Sequence, residues 1–355
     1  MHVVNKPILK VNDNVLHENG FSRIDVEKYF PRYILNPTSL RYGQIKGIWF
    51  SLAQCFLRTL VNIFLHPRQT SIGALNQLEI DEVYDREADG YDLKHHLTTR
   101  GMDLIWRRAA GWFVSTIGQN GSNSLGVLDL CTGTGLTAQE IVKIAEMRNL
   151  NVFVAALDYN QQMLDVAKRR GRDNGHINFI RGDATNLLKN SDKGIGRFPP
   201  NTFDAVTQIF GIGGVPEPIK AFYGVLAVLK PGGKFLMVDM HKPIPELPGE
   251  WPFLRWFRFP IFETAAYEQS TIPLVLNRLW GWRDTTLLFY ILPLVTRIDE
   301  DKRYWGFEVQ SFEQESHRWW FGLPIMPVAR VVVKKSEIDE RTWKMRRAIL
   351  KACSF

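Results

Sequence analysis

Three aspartates stand where apolar runs give way to turns, and their positions are the first chemistry to read. Asp129 lies in Val127-Leu-Asp129-Leu-Cys131-Thr132-Gly133-Thr-Gly135. Asp158 closes Val152-Phe-Val-Ala-Ala-Leu-Asp158-Tyr159-Asn160, and Asp183 follows Ile177-Asn-Phe-Ile-Arg-Gly-Asp183-Ala184-Thr185. A carboxylate ahead of a glycine turn attracts an ammonium group and repels a pyrophosphate. One ending the next strand can take both hydroxyls of a ribose, and the third can accept from an adenine amino group. The glycines also fit Gly133-x-Gly135-x-x-Ala138, a dinucleotide fingerprint that brings backbone N–H groups to a pyrophosphate at a helix N-terminus. Asp129 in front of them argues against that ligand. Any one of these acids alone could be a helix cap or turn residue; all three at successive strand ends point to one ligand.

The elements that must hold them follow from periodicity. Helical spacing covers roughly 81–117, then strand 127–131, helix 135–148, strand 152–157, helix 160–171 and strand 177–181. Strand 203–209, a helix around 217–229 stopped by Lys230-Pro231-Gly232-Gly233, and strand 233–239 continue the series. Alternation with short connections predicts an α/β fold, a doubly wound, mostly parallel, seven-stranded sheet of Rossmann-like type. Its ligand belongs at the C-terminal ends of the strands, where strand order reverses. Residues 81–242 form this core. Residues 1–80 are expected to be a helical extension capping it, with an amphipathic helix over 47–65 whose polar stripe is Gln54, Arg58 and Asn62. That helix either packs on the protein or lies on a membrane surface. Residues 243–297, rich in Pro, Trp and Phe, are expected to be an inserted lid over the site. Residues 298–355 are expected to add two strands, 304–312 and 325–334, and a terminal helix over 335–355.

An amino-acid end, a ribose and an adenine together describe S-adenosylmethionine. On the glycine turn just quoted, residues 82–240 resemble class I S-adenosylmethionine-dependent methyltransferases, and most of all the C-methyltransferases of ubiquinone and menaquinone biosynthesis. Two further stretches carry the likeness: Val83-Tyr84-Asp-Arg-Glu-Ala-Asp-Gly-Tyr91 through Trp106, similar to that family's lead-in helix, and Phe203 through Val215, similar to its fourth-strand segment. The resemblance implies that Tyr91 folds over the cofactor. With it, Asp129, Cys131, Thr132, Gly133, Gly135, Asp158, Tyr159, Met163, Asp183, Ala184 and Gln208 make the expected cofactor-binding set. Cys131 replaces the first glycine of the family turn. His95 stands where the family pattern has Asn, and Gly213-Gly214 where it has Arg-Asn.

The expected reaction is transfer of the sulfonium methyl group to a small or lipophilic acceptor. The alternative keeps the cofactor but attacks a different carbon, by 3-amino-3-carboxypropyl transfer or intramolecular cyclisation, and releases methylthioadenosine. A phenolic or ring-carbon acceptor needs a base, for which His241 and His95 are the candidates beside their plain structural roles, and Tyr91, folded over the cofactor, completes the expected catalytic set. The cysteines Cys55, Cys131 and Cys353 are far apart without metal-ligand spacing, so no metal site is expected and a reducing, cytoplasmic setting is. Net charge is +7, spread along the chain rather than gathered in a block. That pattern argues against nucleic acid as a partner and leaves peripheral membrane contact open.

Overall fold

The computed structural model describes residues 9–30, 35, 77–99, 101–118, 124–170, 175–188, 198–241, 285–319 and 323–354. The expected 47–65 helix and most of the expected lid lie outside the described residues.

Near-continuous apolar runs make β2 (Leu125–Leu130), β3 (Val152–Asp158), β4 (Ile177–Arg181) and β5 (Phe203–Ile209), and β6 (Leu229–Met240) joins them. These strands pair in parallel, with β2, β3, β5 and β6 largely buried and β4 at the half-exposed edge. A long antiparallel hairpin, β8 (Tyr304–Trp319) and β9 (Leu323–Glu337), extends the sheet beyond β6, and β7 (Thr296–Ile298) pairs with β8 at the edge. The strand order is β4-β3-β2-β5-β6-β9-β8-β7. The mostly parallel, doubly wound plan is as expected, and the structure adds an eighth strand. β7 was hidden in the sequence because Thr296–Ile298 is too short to show a period and was read as the end of the inserted segment. Chain order reverses between β2 and β5, which opens a crevice at their C-terminal ends.

Two apolar layers cover the sheet. On one face α5 (Met102–Gly118) and α6 (Leu136–Met147) bury Trp106, Val114, Ile141 and Val142 against Val127, Val154 and Leu236. On the other, α8 (Pro218–Val228) and α9 (Thr286–Ile291) bury Phe222, Val225, Phe289 and Ile291 with Phe235 and Phe307. The described part of the N-terminal extension belongs to this second layer. β1 (Lys10–Val11) pairs antiparallel with β10 (Cys353–Ser354), α1 (Asp13–Glu18) and α2 (Arg23–Glu27) sink Leu16 and Val26 into the same core, and Phe30, just past α2, joins them. Residues 285–297, the end of the expected lid, form α9, a turn and, with Ile298, β7, and pack with that layer.

The predicted 81–117 helix is three pieces: α3 (Gln77–Glu87), α4 (Tyr91–Thr99) and α5. Gly101, at φ +82°, breaks the last two apart. The terminal helix α10 (Glu340–Ala352) starts later than expected, because β9 runs on to Glu337 and Asp339 caps the helix by accepting from the Thr342 N–H at 2.7 Å. β2 to β5, α6, α7 (Gln161–Arg170) and α8 fall within one or two residues of their predicted bounds, whereas β6 starts four residues early at Leu229, β8 runs seven residues past 312 to Trp319 and β9 extends 325–334 to 323–337. Among the described residues, no helix is long and apolar enough to cross a membrane.

Candidate active site

The crevice at the switch point is a cleft with about 660 Å³ of open space. Its wall is built by the turns that follow β2, β3, β4 and β5, closed on one side by α3 and Tyr91. The turns after β2 and β5 interlock. Cys131 and Phe210 both take the left-handed conformation, each at φ 57°. Gly211 follows, and a Cβ there would stand 2.4 Å from the Cys131 Cβ. Two non-glycine residues in that conformation store strain of about 1–3 kcal/mol each, which the packed strands beneath them must hold.

Asp158 is the best-defined anchor. Its carboxylate accepts the Gly133 N–H at 2.7 Å and the Asn160 N–H at 2.9 Å, so one side chain sets the glycine turn and the start of α7. Burial pushes its pKa up to about 6, against the pull of those N–H groups. Asn160 caps α7 by accepting from Met163 N at 2.9 Å, and its amide donates to Asp81 at 2.6 Å and Asp85 at 2.7 Å. That bridge docks α3 on the cleft. Asp183 accepts from the backbone N–H and hydroxyl of Thr185 at 2.8 and 2.7 Å and remains half-buried at the rim.

Of the predicted residues, Tyr91, Cys131, Gly133, Asp158, Tyr159, Met163, Asp183 and Ala184 line this one cleft. Asp129, Thr132, Gly135, Gln208, His95 and His241 are not among its lining residues. Asp129 lies under the turn, where its oxygens accept the hydroxyls of Thr132 at 2.5 Å and Thr207 at 2.8 Å. Burial raises its pKa to about 6 in spite of both hydroxyls. Gly135, at φ +77°, begins α6 where a Cβ would stand 2.8 Å from the Phe179 ring. Gln208 donates to Asp239 at 3.2 Å inside the sheet.

The two histidines part company. His95 sits behind the cleft wall, its ring 5.2 Å from that of Tyr91 and 5.7 Å from that of Phe210. Burial holds its pKa down near 4, so it is neutral at physiological pH. His241 is farther round the sheet, packed edge-on against Phe289, Tyr290 and Phe312, with its Nε2 3.1 Å from the Tyr290 hydroxyl.

Sequence reading missed several cleft residues. Ile80, Asp81 and Tyr84 come from α3, and Phe210, Gly211, Gly214 and Val215 from the turn after β5. Ile80 precedes the helical spacing that begins at 81, Asp81 and Tyr84 lie within it without a pattern that marks them for the cleft, and the turn residues are apolar or glycine and announce nothing. Asp239, fully buried near the end of β6, was also passed over. It accepts from Met240 N at 2.7 Å and from Gln208 and Thr285 at 3.2 Å, and burial lifts its pKa to about 7. Among the described residues there is no cluster able to hold a metal ion.

Residues 73–263 match the sequence profile of the ubiE/COQ5 methyltransferase family, more than half of the 355-residue chain. The demethylmenaquinone methyltransferase of Renibacterium salmoninarum is 36% identical over 166 residues, 46% of this chain and 60% of that protein. A protein of the same name from Leptospira interrogans is 26% identical over 261 residues, 72% of this chain and 94% of that one. The ubiquinone/menaquinone biosynthesis C-methyltransferase UbiE of Rickettsia typhi is 32% identical over 166 residues, 46% of this chain and 61% of that protein. The chain thus spans about 60% of the length of the first of these relatives. It belongs to the ubiE/COQ5 methyltransferase family.

Proposed function

We propose that this member of the ubiE/COQ5 family transfers the methyl group of S-adenosylmethionine to a lipophilic quinone-type acceptor. The observation that carries the reading is the convergence of Asp158, Asp183 and the Gly133 turn on one cleft at the sheet's switch point. The donor set fits the cofactor. The acids among the lining residues are Asp81, Asp158 and Asp183, and none of the lining residues is Lys, Arg or His. Such a wall suits a ligand bearing hydroxyls, amino groups and a positive sulfur, and it opposes a pyrophosphate.

When bound, S-adenosylmethionine supplies an electrophilic methyl group and leaves as S-adenosylhomocysteine. Asp158 is assigned the ribose hydroxyls and Asp183 the adenine amino group, with Met163, Leu157 and Ala184 as apolar flanks. Asp129 acts by bracing the turn through Thr132 and Thr207. The chain's main contribution is to hold the acceptor about 3 Å from the methyl carbon and to exclude water, since such displacements need little covalent help. Phe210, Tyr84 and Tyr91 offer flat apolar walls to a ring. For a ring-carbon acceptor a proton must also leave. His95 stands behind the cleft wall, packed on Tyr91 and Phe210, with its pKa held down near 4, and His241 is packed among aromatic rings, so both are assigned to packing and neither to the base.

The relatives' names specify demethylmenaquinone as acceptor, and a quinone precursor of that class is the one assigned to this chain. A lipophilic acceptor is drawn from a bilayer surface, which goes with peripheral membrane contact on the cytoplasmic side. Mass spectrometry of S-adenosylmethionine incubated with the protein, with and without a reduced demethylmenaquinone, tests the proposal. S-adenosylhomocysteine formed only with acceptor supports it; methylthioadenosine formed without acceptor overturns it in favour of attack at another carbon.

A further inference from the structure

Tyr84 lies on α3 and lines the cleft, and its hydroxyl is seated directly over Gly214 in the turn after β5. A Cβ added at Gly214 would stand 3.2 Å from the Tyr84 Oη, 3.6 Å from its Cε2 and 3.9 Å from its Cζ. The ring edge therefore occupies the space that a side chain at 214 would take. The glycine is not required by its own backbone, because its φ is outside the left-handed region. The phenol is what crowds the place, since a Cβ there would push its hydroxyl aside by a few tenths of an ångström. Among the described residues nothing donates to or accepts from the Tyr84 hydroxyl, although the ring is half-buried. A phenol placed by an absent side chain, open to a cleft and unbonded within the described fold, is a group offered to a ligand.

The neighbours set what that ligand is. Tyr91 meets Tyr84 edge-on at 6.1 Å between ring centres, and Phe210 and Val215 line the same cleft. Burial and the nearby carboxylates of Asp158 and Asp239 keep the phenol protonated well beyond neutral pH, so it serves as a hydrogen-bond donor. A neutral donor beside the flat faces of Tyr91 and Phe210 and the apolar Val215 suits a planar ring carrying a carbonyl, hydroxyl or phenolate oxygen.

We propose that Tyr84 is a specificity-determining residue that donates a hydrogen bond to a ring oxygen of the acceptor, and that Gly214 is glycine to leave room for it. The proposal rests on the function proposed above and names the group that selects its acceptor. It also gives a reason for Gly214 where the family pattern has Asn: the polar group at this place comes from α3 instead of from the turn.

The test is a double-mutant cycle on Tyr84→Phe and Gly214→Ala, read by calorimetry. The probes are S-adenosylhomocysteine, and then 1,4-dihydroxynaphthalene, kept reduced, added to the S-adenosylhomocysteine complex. Tyr84→Phe is expected to leave S-adenosylhomocysteine affinity within about twofold and to weaken the ring probe by about fivefold to tenfold, the worth of one hydrogen bond. Gly214→Ala is expected to weaken the ring probe in the native background, by displacing the hydroxyl, and to have no effect in Tyr84→Phe, where only a 3.6 Å ring contact remains. Equal effects of Gly214→Ala in both backgrounds would assign the pair to packing alone and overturn the proposal. So would unchanged probe binding by Tyr84→Phe, or no probe binding by the native complex. A loss of S-adenosylhomocysteine affinity in Tyr84→Phe would give the hydroxyl to the cofactor instead. Failure of the native protein to bind S-adenosylhomocysteine at all would instead strike the functional reading beneath.

Discussion

The sheet has two halves with different business. In the parallel half, β4-β3-β2-β5, every strand ends in a short turn whose residues meet at the cleft. In the antiparallel half, β9-β8-β7 beyond β6, β9 and β8 are long and joined as a hairpin, the three-residue β7 closes the edge, and all are spent on packing. Buried ionisable groups follow the same division. Asp129 and Asp158 in the parallel half and Asp239 on its border are carboxyls that burial pushes towards the neutral form. Lys335 on β9 is an amine that burial also pushes towards neutrality, in a place with no cleft. Burial of a charge is thus a mark of function only where the group borders an open site; elsewhere it is a feature of the core.

The strongest way to separate the cleft from the rest of the sheet is to fill a glycine in the cleft and another on β6, at the border of the two halves. Gly211→Val would place side-chain carbon against the Cys131 Cβ, which a Cβ alone would approach to 2.4 Å. Binding of S-adenosylhomocysteine should fall by more than about a hundredfold, as overpacking of several kcal/mol is driven into the cleft floor. Gly232→Ala in β6 meets only the end of Lys334 at 3.9 Å but sits at φ +77°. It should lower stability by about 1–2 kcal/mol through left-handed strain and leave affinity unchanged. Calorimetry beside a thermal melt reads both. Equal loss of affinity in the two variants would erase the distinction.

Next in size is the anchor carboxylate. Asp158→Ala should weaken S-adenosylhomocysteine by about 1.5–3 kcal/mol, through lost ribose contacts and a glycine turn no longer held at Gly133 N. A folded variant with native affinity would remove Asp158 from the site.

The parallel half was the legible one. Asp129, Asp158 and Asp183 were visible because each follows an apolar run of strand length, and a glycine turn fixes which end of the strand carries the site. The sequence could not separate a carboxylate that faces the cleft from one that braces it. Asp129 and Asp158 have the same flanking pattern, and only the Thr207 hydroxyl, reaching Asp129 from 78 residues away in the chain, decides their different situations. Tyr84 and Asp81 were illegible for a related reason. They enter the cleft because Asn160 ties α3 down through Asp81 and Asp85, a contact across 75–79 residues that leaves no local pattern. Cys131 replaced an expected glycine, and its left-handed backbone shows that the turn kept its shape and took the strain instead.

The pH dependence of stability should also differ between the halves. Carboxyls with folded pKa values of about 6 and 7 hold protons that the unfolded chain releases near 4. The stability they contribute is present below about pH 4 and is lost as pH rises through 6 to 7. His95 works oppositely, since its folded pKa near 4 makes stability grow between about pH 4 and 6.5. With three carboxyls against one imidazole, the cofactor-free protein should melt several degrees higher at pH 5 than at pH 7.5. Asp239→Asn, which mimics the neutral acid, should flatten this slope. A slope unchanged in the variant would mean that Asp239 stays ionised in the core.

The smallest expected effect lies in the antiparallel half. Lys335 is 3% exposed, and its ammonium donates to Asn201 Oδ1 at 2.8 Å and to the Leu229 carbonyl at 2.7 Å, with the Trp305 ring 5.2 Å away. Its partners are neutral, so burial lowers its pKa to about 8. The native state therefore releases a proton that the unfolded chain keeps up to about pH 10.4, and this site's stability should rise between about pH 8 and 10. Lys335→Met fills similar volume, removes the desolvated charge and leaves two acceptors without their donor. The opposing terms are each about 1–3 kcal/mol, so the net change at pH 7 should be within about 1–2 kcal/mol of zero. The distinguishing result is the alkaline limb: the native protein should gain melting temperature from pH 8 towards 10 relative to Lys335→Met, while both bind S-adenosylhomocysteine alike. Weakened binding in Lys335→Met would show that the antiparallel half is coupled to the cleft after all, through β6, which both halves share.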